Sequence, residues 1–405
     1  MNAIAESYVK LCFHVGKYDE DYVDAYFGPE NLKKETETED KKLDQIIQDA
    51  GSLIDILKNL DVRCPDEWAQ QRRKNLIRFL QALKTRAEFL SGKKLTFDEE
   101  SQALYDAVSP SFPLEHYDEI LNQMNTLLPG NAPLEQKMAD FRNQFIIPPD
   151  KVEVVFKAAI DEARKRTKVF IELPQDESFD MEFVTGKSWG AYNWFKGNAK
   201  SLIQVNTDLP ISIDRAVDLA CHEGYPGHHV YSTLIEQKLY KKKGWVEYSI
   251  YPLFSPISLI SEGTANYGIE VAFPGEERAK FDKEILCPLA GLDPSKLDLL
   301  YKVQQLSSKL SFAGNDIGRL FIDGKITRDE AAERLMKYQL RSRERAEKYL
   351  DFIQQYRSYI INYNLGLKMV RDYMERKDTA AEYPQKRWDE FKKLLSSPIL
   401  PGDLK

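Results

Sequence analysis

Two kinds of apolar spacing alternate along this chain of 405 residues, and they restrict the folds it can adopt. Most of residues 1–148, and most of the chain from residue 211 onward, has apolar residues three and four positions apart, as amphipathic helices do. Residues 168–207 form short β-branched and aromatic segments separated by turn residues, which is typical of strands. The pattern predicts a mostly α (α+β) protein with a small, mostly antiparallel sheet.

Two regions are expected to depart from simple helices. Residues 5–28 predict an amphipathic helix, a turn and a second short helix, and residues 331–377 predict a very long helical stretch broken once or twice. A boundary near residue 148 would separate an N-terminal helical region, 1–148, from a second region, 149–405. Contacts across that boundary would make the two regions one continuous domain.

Composition narrows the class of protein and its surroundings. Apolar residues make up 42% of the chain, charged residues 30%, and the net charge is −7, so a nucleic-acid partner has little support. No uncharged apolar run is long enough to cross a bilayer, and the start lacks the pattern of a signal peptide. The four cysteines are scattered and form no CxxC pair. These features predict a cytoplasmic protein without a membrane partner, and they leave its oligomeric state open.

A histidine-rich stretch, "DLACHEGYPGHHVY" at residues 218–231, contains three of the five histidines of the chain. It begins like the HExxH helix of zinc hydrolases, in which two histidines one turn apart hold the metal and the glutamate acts as general base. Here Pro226 stands where the second histidine belongs. On a regular helix His228 would point roughly 120° away from His222, and His229 would lie about 10 Å further along the axis.

Pro226 and Gly227 offer a way to close that gap. Proline cannot donate the helical hydrogen bond, and a helix widened at this point, as in a π-bulge, can absorb extra residues. Two extra residues would bring His228 beside His222, and three would bring His229; we favour His228. The alternative is that the Pro-Gly pair ends a helix and the histidines are surface residues.

Glu262 is the candidate third ligand. It lies in the apolar run "ISLISEG", and a buried carboxylate needs a partner. The alternative is a partly exposed helix acid. Asn266, one turn after Glu262, and Asp218, one turn before His222, could hydrogen-bond the ligand histidines.

The two stretches "HEGYPGHH" and "SEGTANYGIE" (261–270) resemble domain-of-unknown-function family 885, whose motifs are HE-x-x-P-G-H-H and E-G-W-A-x-Y-x-E. "VDAYFGP" (23–29) and "YRSYIINYNLG" (356–366) are also similar to one branch of that family, although Thr264 replaces its usual tryptophan. The residues that match the motifs are His222, Glu223, His228, His229 and Glu262.

This resemblance implies a zincin-like fold related to metallopeptidases. A small sheet, the helix with His222 and the helix with Glu262 would surround a central cleft, and the last strand, 201–207, would pair with an extended peptide. "SEGTANYGIE" is also similar to a stretch of zinc aminopeptidases in which the glutamate binds the metal.

The sequence therefore predicts a zinc-dependent hydrolase, most simply a metallopeptidase for short peptides. One Zn²⁺ per chain would be held by His222, His228 and Glu262, and Glu223 would act as general base. Arg357, Tyr359 and Tyr363 are candidate donors to the oxyanion, with Tyr363 ranked first. His229, if it is not a ligand, would bind substrate. Two alternatives remain: a non-catalytic metal-binding helical protein, and a metal-dependent amidase that acts on a non-peptide substrate.

Overall fold

The computed structural model describes residues 1–60, 66–187, 189–377 and 384–405. It is mostly α with two small sheets, which confirms the predicted fold class. Within the described residues, no helix combines the length and apolar character needed to span a bilayer. The cysteines Cys12, Cys221 and Cys287 are buried free thiols, whereas Cys64 lies outside the described residues.

The N-terminal region is helical apart from one short strand. Its elements are α1 (Asn2–Gly16), β1 (Val23–Tyr26), α2 (Glu30–Glu37), α3 (Leu43–Asn59), α4 (Glu67–Leu90), α5 (Phe97–Tyr105), α6 (Leu114–Leu127) and α7 (Leu134–Asn143). The second short helix expected before residue 28 is wrong, because Val23–Tyr26 is a strand that pairs antiparallel with a distant segment. Local spacing could not show that long-range pairing.

The middle of the chain contains the sheet and the histidine-rich stretch. Its elements are α8 (Val152–Phe170), β2 (Ser178–Val184), β3 (Ala191–Gly197), β4 (Lys200–Asn206), α9 (Asp214–Leu219), a π-helical turn (Ala220–Gly224), α10 (His228–Ile235), a second π-helical turn (Glu236–Lys241) and β5 (Ile250–Pro252). The first predicted strand, at 168–174, is absent because α8 continues to Phe170 and an irregular segment follows it.

The C-terminal region is helical, as predicted. Its helices are α11 (Pro256–Ala272), α12 (Glu277–Phe281), α13 (Cys287–Ala290), α14 (Leu297–Lys309), α15 (Ser311–Ile322), α16 (Arg328–Gln339), α17 (Arg343–Tyr356), α18 (Ile361–Arg376) and α19 (Pro384–Ser396). The stretch at 331–377 is interrupted twice, near Leu340 and Arg357, which both have positive φ angles. The expectation of one or two breaks is confirmed.

The three-stranded sheet has the order β2-β4-β3 and is mixed, since β2 pairs parallel and β3 antiparallel with β4. The expectation that residues 201–207 pair with a peptide is therefore wrong, because both edges of β4 are already occupied. β2 and β3 are the edge strands of this sheet, and residues of β3 line the cleft.

Helices α11 and α18 cross at two glycines, Gly263 and Gly366. A Cβ added to either one would overlap the backbone of the other helix. This close approach places the start of α18 against Glu262. One buried hydrophobic cluster runs from Ala5 to Leu404, so the regions on either side of residue 148 share a core.

Candidate metal centre

A widened helix brings His228 beside His222. The π-helical turn at Ala220–Gly224 carries His222 and Glu223, the next three residues leave the helix, and α10 begins at His228. As a result, Nε2 of His228 lies 3.2 Å from Nε2 of His222. The predicted π-type widening is present, and it selects His228 rather than His229 as the neighbour of His222.

Gly227 makes this arrangement sterically feasible. Its amide donates to the carbonyl of Cys221 at 2.8 Å, and a Cβ at this position would overlap the carbonyl oxygens of His222 and Cys221. Any residue larger than glycine would push the start of α10, and with it His228, away from His222.

Glu262 completes a cluster of three donors. His222, His228 and Glu262 each offer one possible ligand atom, and these atoms lie within 4.8 Å of one another. Among the described residues, this is the group of histidine, cysteine and acidic side chains that could hold a metal ion. Oε2 of Glu262 lies 3.4 Å from Nε2 of His222, and Oε1 lies 3.8 Å from Nε2 of His228. Oε2 is buried and has no hydrogen-bond partner among the described residues, which is costly for a carboxylate.

These distances fit a zinc ion. Tetrahedral zinc with nitrogen and oxygen ligands at about 2.0–2.2 Å places adjacent ligand atoms roughly 3.3–3.6 Å apart. Two imidazoles and one carboxylate, with a fourth position left open, form the donor set of a catalytic zinc site rather than of a closed structural site. A bound cation would also give the unpartnered Oε2 of Glu262 its missing partner.

The electrostatics of the three side chains are strongly coupled. Burial alone would lower the pKa of His222, but its contact with Glu262 and the negative charges of Glu223 and Glu262 raise it to about 9. Burial lowers the pKa of His228 to about 4. Burial would raise the pKa of Glu262, but the contact with His222 and the charge of His228 hold it below its usual value.

Glu223 lies beside this cluster without belonging to it. Its side chain is buried, and its carbonyl accepts a hydrogen bond from Nδ2 of Asn193 in β3 at 2.6 Å. Burial and, more weakly, the charge of Glu262 raise the pKa of Glu223 to about 7. A carboxylate with a pKa near neutrality is well suited to accept and return a proton.

Two predicted tyrosines line the cleft next to Glu262. The hydroxyl of Tyr359 donates to Oε1 of Glu262 at 3.1 Å, so this tyrosine orients the carboxylate. Tyr363 packs edge-on against Tyr359, and the residue is 39% exposed. Its hydroxyl has no hydrogen-bond partner among the described residues. Partial loss of water around the phenol and the charge of Glu262 raise its pKa above the usual value, so it is a neutral donor.

Arg357 does not reach the cleft, which corrects its predicted role as an oxyanion donor. Its guanidinium pairs with Glu100, donates to the carbonyl of Leu95 at 3.2 Å and stacks on Phe89. Glu100 also accepts from the hydroxyl and amide of Ser358. Arg357 therefore holds the turn before α18 in place.

His229 is also not placed for its predicted role, because it is fully buried away from the cleft. Nδ1 of His229 lies 2.8 Å from Oγ of Ser201, and Nε2 lies 3.2 Å from Oε2 of Glu177. Glu177 also accepts from Tyr225 and Arg164. The order Ser201, His229, Glu177 resembles a hydrolase triad, but its full burial excludes substrate, so the network fastens α10 to the sheet.

The supporting contacts of the ligands differ from those expected. Nδ1 of His228 lies 3.0 Å from Oγ of Ser261, a serine that sequence reasoning did not single out. Asn266 donates to the carbonyls of Glu262 and Tyr363. Asp218 pairs with Arg215 and Arg278 at 2.8 Å each. Neither Asn266 nor Asp218 makes the predicted hydrogen bond to a ligand histidine.

The cluster opens into a cleft of about 2380 Å³. Its walls include β1, β3, α11 and the tyrosines before and within α18. Arg142, Arg341 and Arg345 also line it, and none has a carboxylate within ion-pair distance in the described part of the chain. The cleft therefore combines a candidate cation site with three arginines that form no ion pair among the described residues.

Comparisons with known proteins show similarity in structure alone. No model of a protein family matches the chain, and no curated protein matches it in sequence. Among solved structures, "the putative lipoprotein from Colwellia psychrerythraea" has a TM-score of 0.58 at 14% identity, over 89% of this chain and 68% of that chain. "A putative lipoprotein of unknown function from Shewanella oneidensis" has a TM-score of 0.51 at 12% identity, over 90% and 72%. A protein named BsuCP has a TM-score of 0.50 at 12% identity, over 100% and 92%.

At these identities, the three structures show a shared fold. They assign neither a reaction nor a location to this chain.

Proposed function

We propose that this protein is a zinc-dependent metallopeptidase that cleaves short peptides. The observation that carries the proposal is the convergence of His222, His228 and Glu262 in the lining of one cleft, with Glu223 beside them. A non-catalytic metal site requires ligands, but it does not require an adjacent carboxylate with a pKa near neutrality. The motif resemblance to domain-of-unknown-function family 885 supports the same assignment.

Each residue of the site has a separate role in the proposed hydrolysis. A Zn²⁺ ion held by the three ligands would act as a Lewis acid toward water and the scissile carbonyl. Glu223 takes the proton of the attacking water and returns it to the leaving amine. Tyr363 donates its free hydroxyl to the developing oxyanion, while Tyr359 and Ser261 hold Glu262 and His228 in orientation.

The edge strand β3 supports a peptide substrate. Residues of β3 line the cleft, one edge of the strand is unpaired among the described residues, and its Asn193 is bonded to the backbone of Glu223. An extended peptide can add to such an edge by main-chain hydrogen bonds. The unpaired arginines of the cleft suit substrates that carry negative charge, as peptides do at their carboxyl end.

The test is hydrolysis of a mixed peptide library by zinc-loaded wild type, metal-depleted wild type and Glu223→Gln. We expect cleavage by the loaded wild type alone, with zinc content unchanged in Glu223→Gln. Glu276→Gln, which removes an exposed acid from the cleft rim, serves as the matched control and should cleave normally. Zinc binding without cleavage of any peptide would favour the non-catalytic alternative, and cleavage of non-peptide amides alone would favour the amidase.

A further inference from the structure

Asp24, in the segment "VDAYFGP", is a cleft residue that the mechanism leaves without a role. Val23 pairs with Pro252 and Ala25 with Tyr251, so Asp24 is the extra residue of a β-bulge in β1. Bulges redirect the side chain of the extra residue and are frequent beside active sites. Here the bulged residue lines the same cleft as the metal ligands.

The carboxylate of Asp24 has no hydrogen bond and no ion pair among the described residues, although the side chain is partly buried. Burial and the charges of Glu262, Glu223 and Asp21 raise its pKa to about 7. Asp21, Glu223 and Glu262 line the same cleft as Asp24, so several carboxylates share it. A partly buried acid among other acids is unfavourable unless a cation joins it.

Aromatic side chains line the cleft on the same side as the bulge, where Tyr251 pairs with Ala25, the neighbour of Asp24. Tyr251, Tyr356 and Tyr359 line the cleft, and the charge of Asp24 is among the causes that raise the pKa of each phenol. A carboxylate among neutral aromatic rings is an environment that recognises an ammonium group, through an ion pair and cation–π contacts.

We propose that Asp24 binds the protonated amino group of the substrate, so that the preferred substrates are short peptides with an ammonium close to the scissile bond. The inference rests on the proposed function, because it places the ammonium relative to the metal centre. A second metal ion is the less favourable occupant. Asp24 is not among the donor atoms that lie within 4.8 Å of one another.

Binding of three peptide amides separates the sources of the ammonium. They are Ala-Ala-Ala-amide, its N-acetyl form, and an N-acetyl form with lysine at the first position. Calorimetry on the zinc-loaded Glu223→Gln protein measures their affinity without turnover. We expect the free-amine peptide to bind about tenfold more tightly than its acetylated form. If the N-acetyl peptide with a free lysine side chain binds as tightly as the free-amine peptide, a side-chain ammonium satisfies the site as well as the amino terminus does.

When Asp24→Asn is added to the Glu223→Gln protein, the tenfold preference for the free-amine peptide should disappear. The affinity for the acetylated peptide should not change. Glu20→Gln, an exposed acid that lines the same cleft, is the matched control and should keep the preference. An equal loss for both peptides in Asp24→Asn would indicate a structural role and overturn the proposal. The proposal would also be overturned if protein with an intact Asp24 bound the free-amine and acetylated peptides equally well, or bound neither.

Two further results separate this inference from the proposed function. A second zinc per chain that is lost in Asp24→Asn would identify Asp24 as a metal ligand and overturn its role in ammonium binding. If the free-amine preference is present but protein with an intact Glu223 cleaves no peptide, the proposed function fails while the binding site stands. If peptides are cleaved but the free-amine peptide is not preferred, the proposed function stands and the role of Asp24 in ammonium binding fails.

Discussion

Nε2 of His222 and Nε2 of His228 lie 3.2 Å apart, although six positions separate the two residues. The π-helical turn and the three residues after it supply the extra length that a regular helix lacks. The two rings thereby reach the relation that HExxH achieves with four positions. This relation leads to a set of predictions about the metal centre.

Removal of any one of the three ligands should abolish metal binding. We expect wild type to contain about one zinc per chain, and His222→Ala, His228→Ala and Glu262→Ala to contain far less, because two remaining ligands hold zinc weakly. Elemental analysis of the purified proteins measures this directly, with circular dichroism to verify folding. His116→Gln in α6, which changes a histidine outside the cluster, is the control and should retain its zinc; loss of zinc there would contradict the assigned ligand set.

Gly227→Ala should weaken metal binding without changing any ligand. The new Cβ would overlap two backbone carbonyl oxygens, so α10 must shift and carry His228 with it. Overpacking of this kind costs about 1–3 kcal/mol, and we expect a matching fall in the free energy of unfolding. Urea unfolding and competitive zinc titration measure the two effects.

The control for this change is Gly51→Ala in α3, where the nearest atom to a new Cβ is the flexible end of Lys84 at 3.8 Å. It should be neutral or slightly stabilising, because alanine favours a helix interior. Equal stability and zinc affinity of Gly227→Ala and wild type would contradict the steric argument.

The helical architecture was largely predictable, because amphipathic spacing and helix-ending glycines are local signals. Gly92, after α4, has a φ angle of +102° as expected of such an ending. The strand at Val23–Tyr26 was not predictable, since its partner lies more than two hundred residues away. The order of strands in the sheet was not predictable either, and the peptide-binding edge was therefore assigned to β4 instead of β3.

The candidate site shows the same division between local and long-range information. His222, Glu223, His228 and Glu262 were found because zinc chemistry restricts residue type and spacing. Arg357 and His229 were assigned to the cleft from position along the chain, but their partners Glu100, Ser201 and Glu177 are distant in sequence. Asp24 gave no signal of its own, because a β-bulge depends on the opposite strand.

Tyr363→Phe and Tyr359→Phe should have different effects. Tyr363 has a free hydroxyl, so its loss should lower kcat by about 10²–10³ with little change in stability or zinc affinity. Loss of the Tyr359 hydroxyl removes the donor to Oε1 of Glu262 and should lower zinc affinity by about 10–100-fold. Steady-state kinetics on a cleaved peptide and zinc titration separate the two. Identical kinetic and metal-binding losses would contradict these separate roles.

The buried Glu177 should make stability depend on pH in acid. Burial would raise its pKa, but hydrogen bonds from His229, Tyr225 and Arg164 lower it from its ordinary value of 4.5 to about 2. Above pH 4.5 the carboxylate is charged in the folded and unfolded states, and its full contribution is present. As the pH falls from 4.5 to 2, the unfolded chain takes up a proton that the folded protein does not, so stability is lost, by roughly 3 kcal/mol in all.

Glu177→Gln should therefore be less stable than wild type at pH 7, and the difference should shrink steadily on acidification below pH 4.5. Urea unfolding of both proteins at several pH values between 7 and 3 measures the difference. Glu182→Gln, an exposed acid in the adjoining strand β2, should follow the wild-type curve throughout. A constant gap between wild type and Glu177→Gln over this range would show that the network contributes through packing and not through the ionised carboxylate.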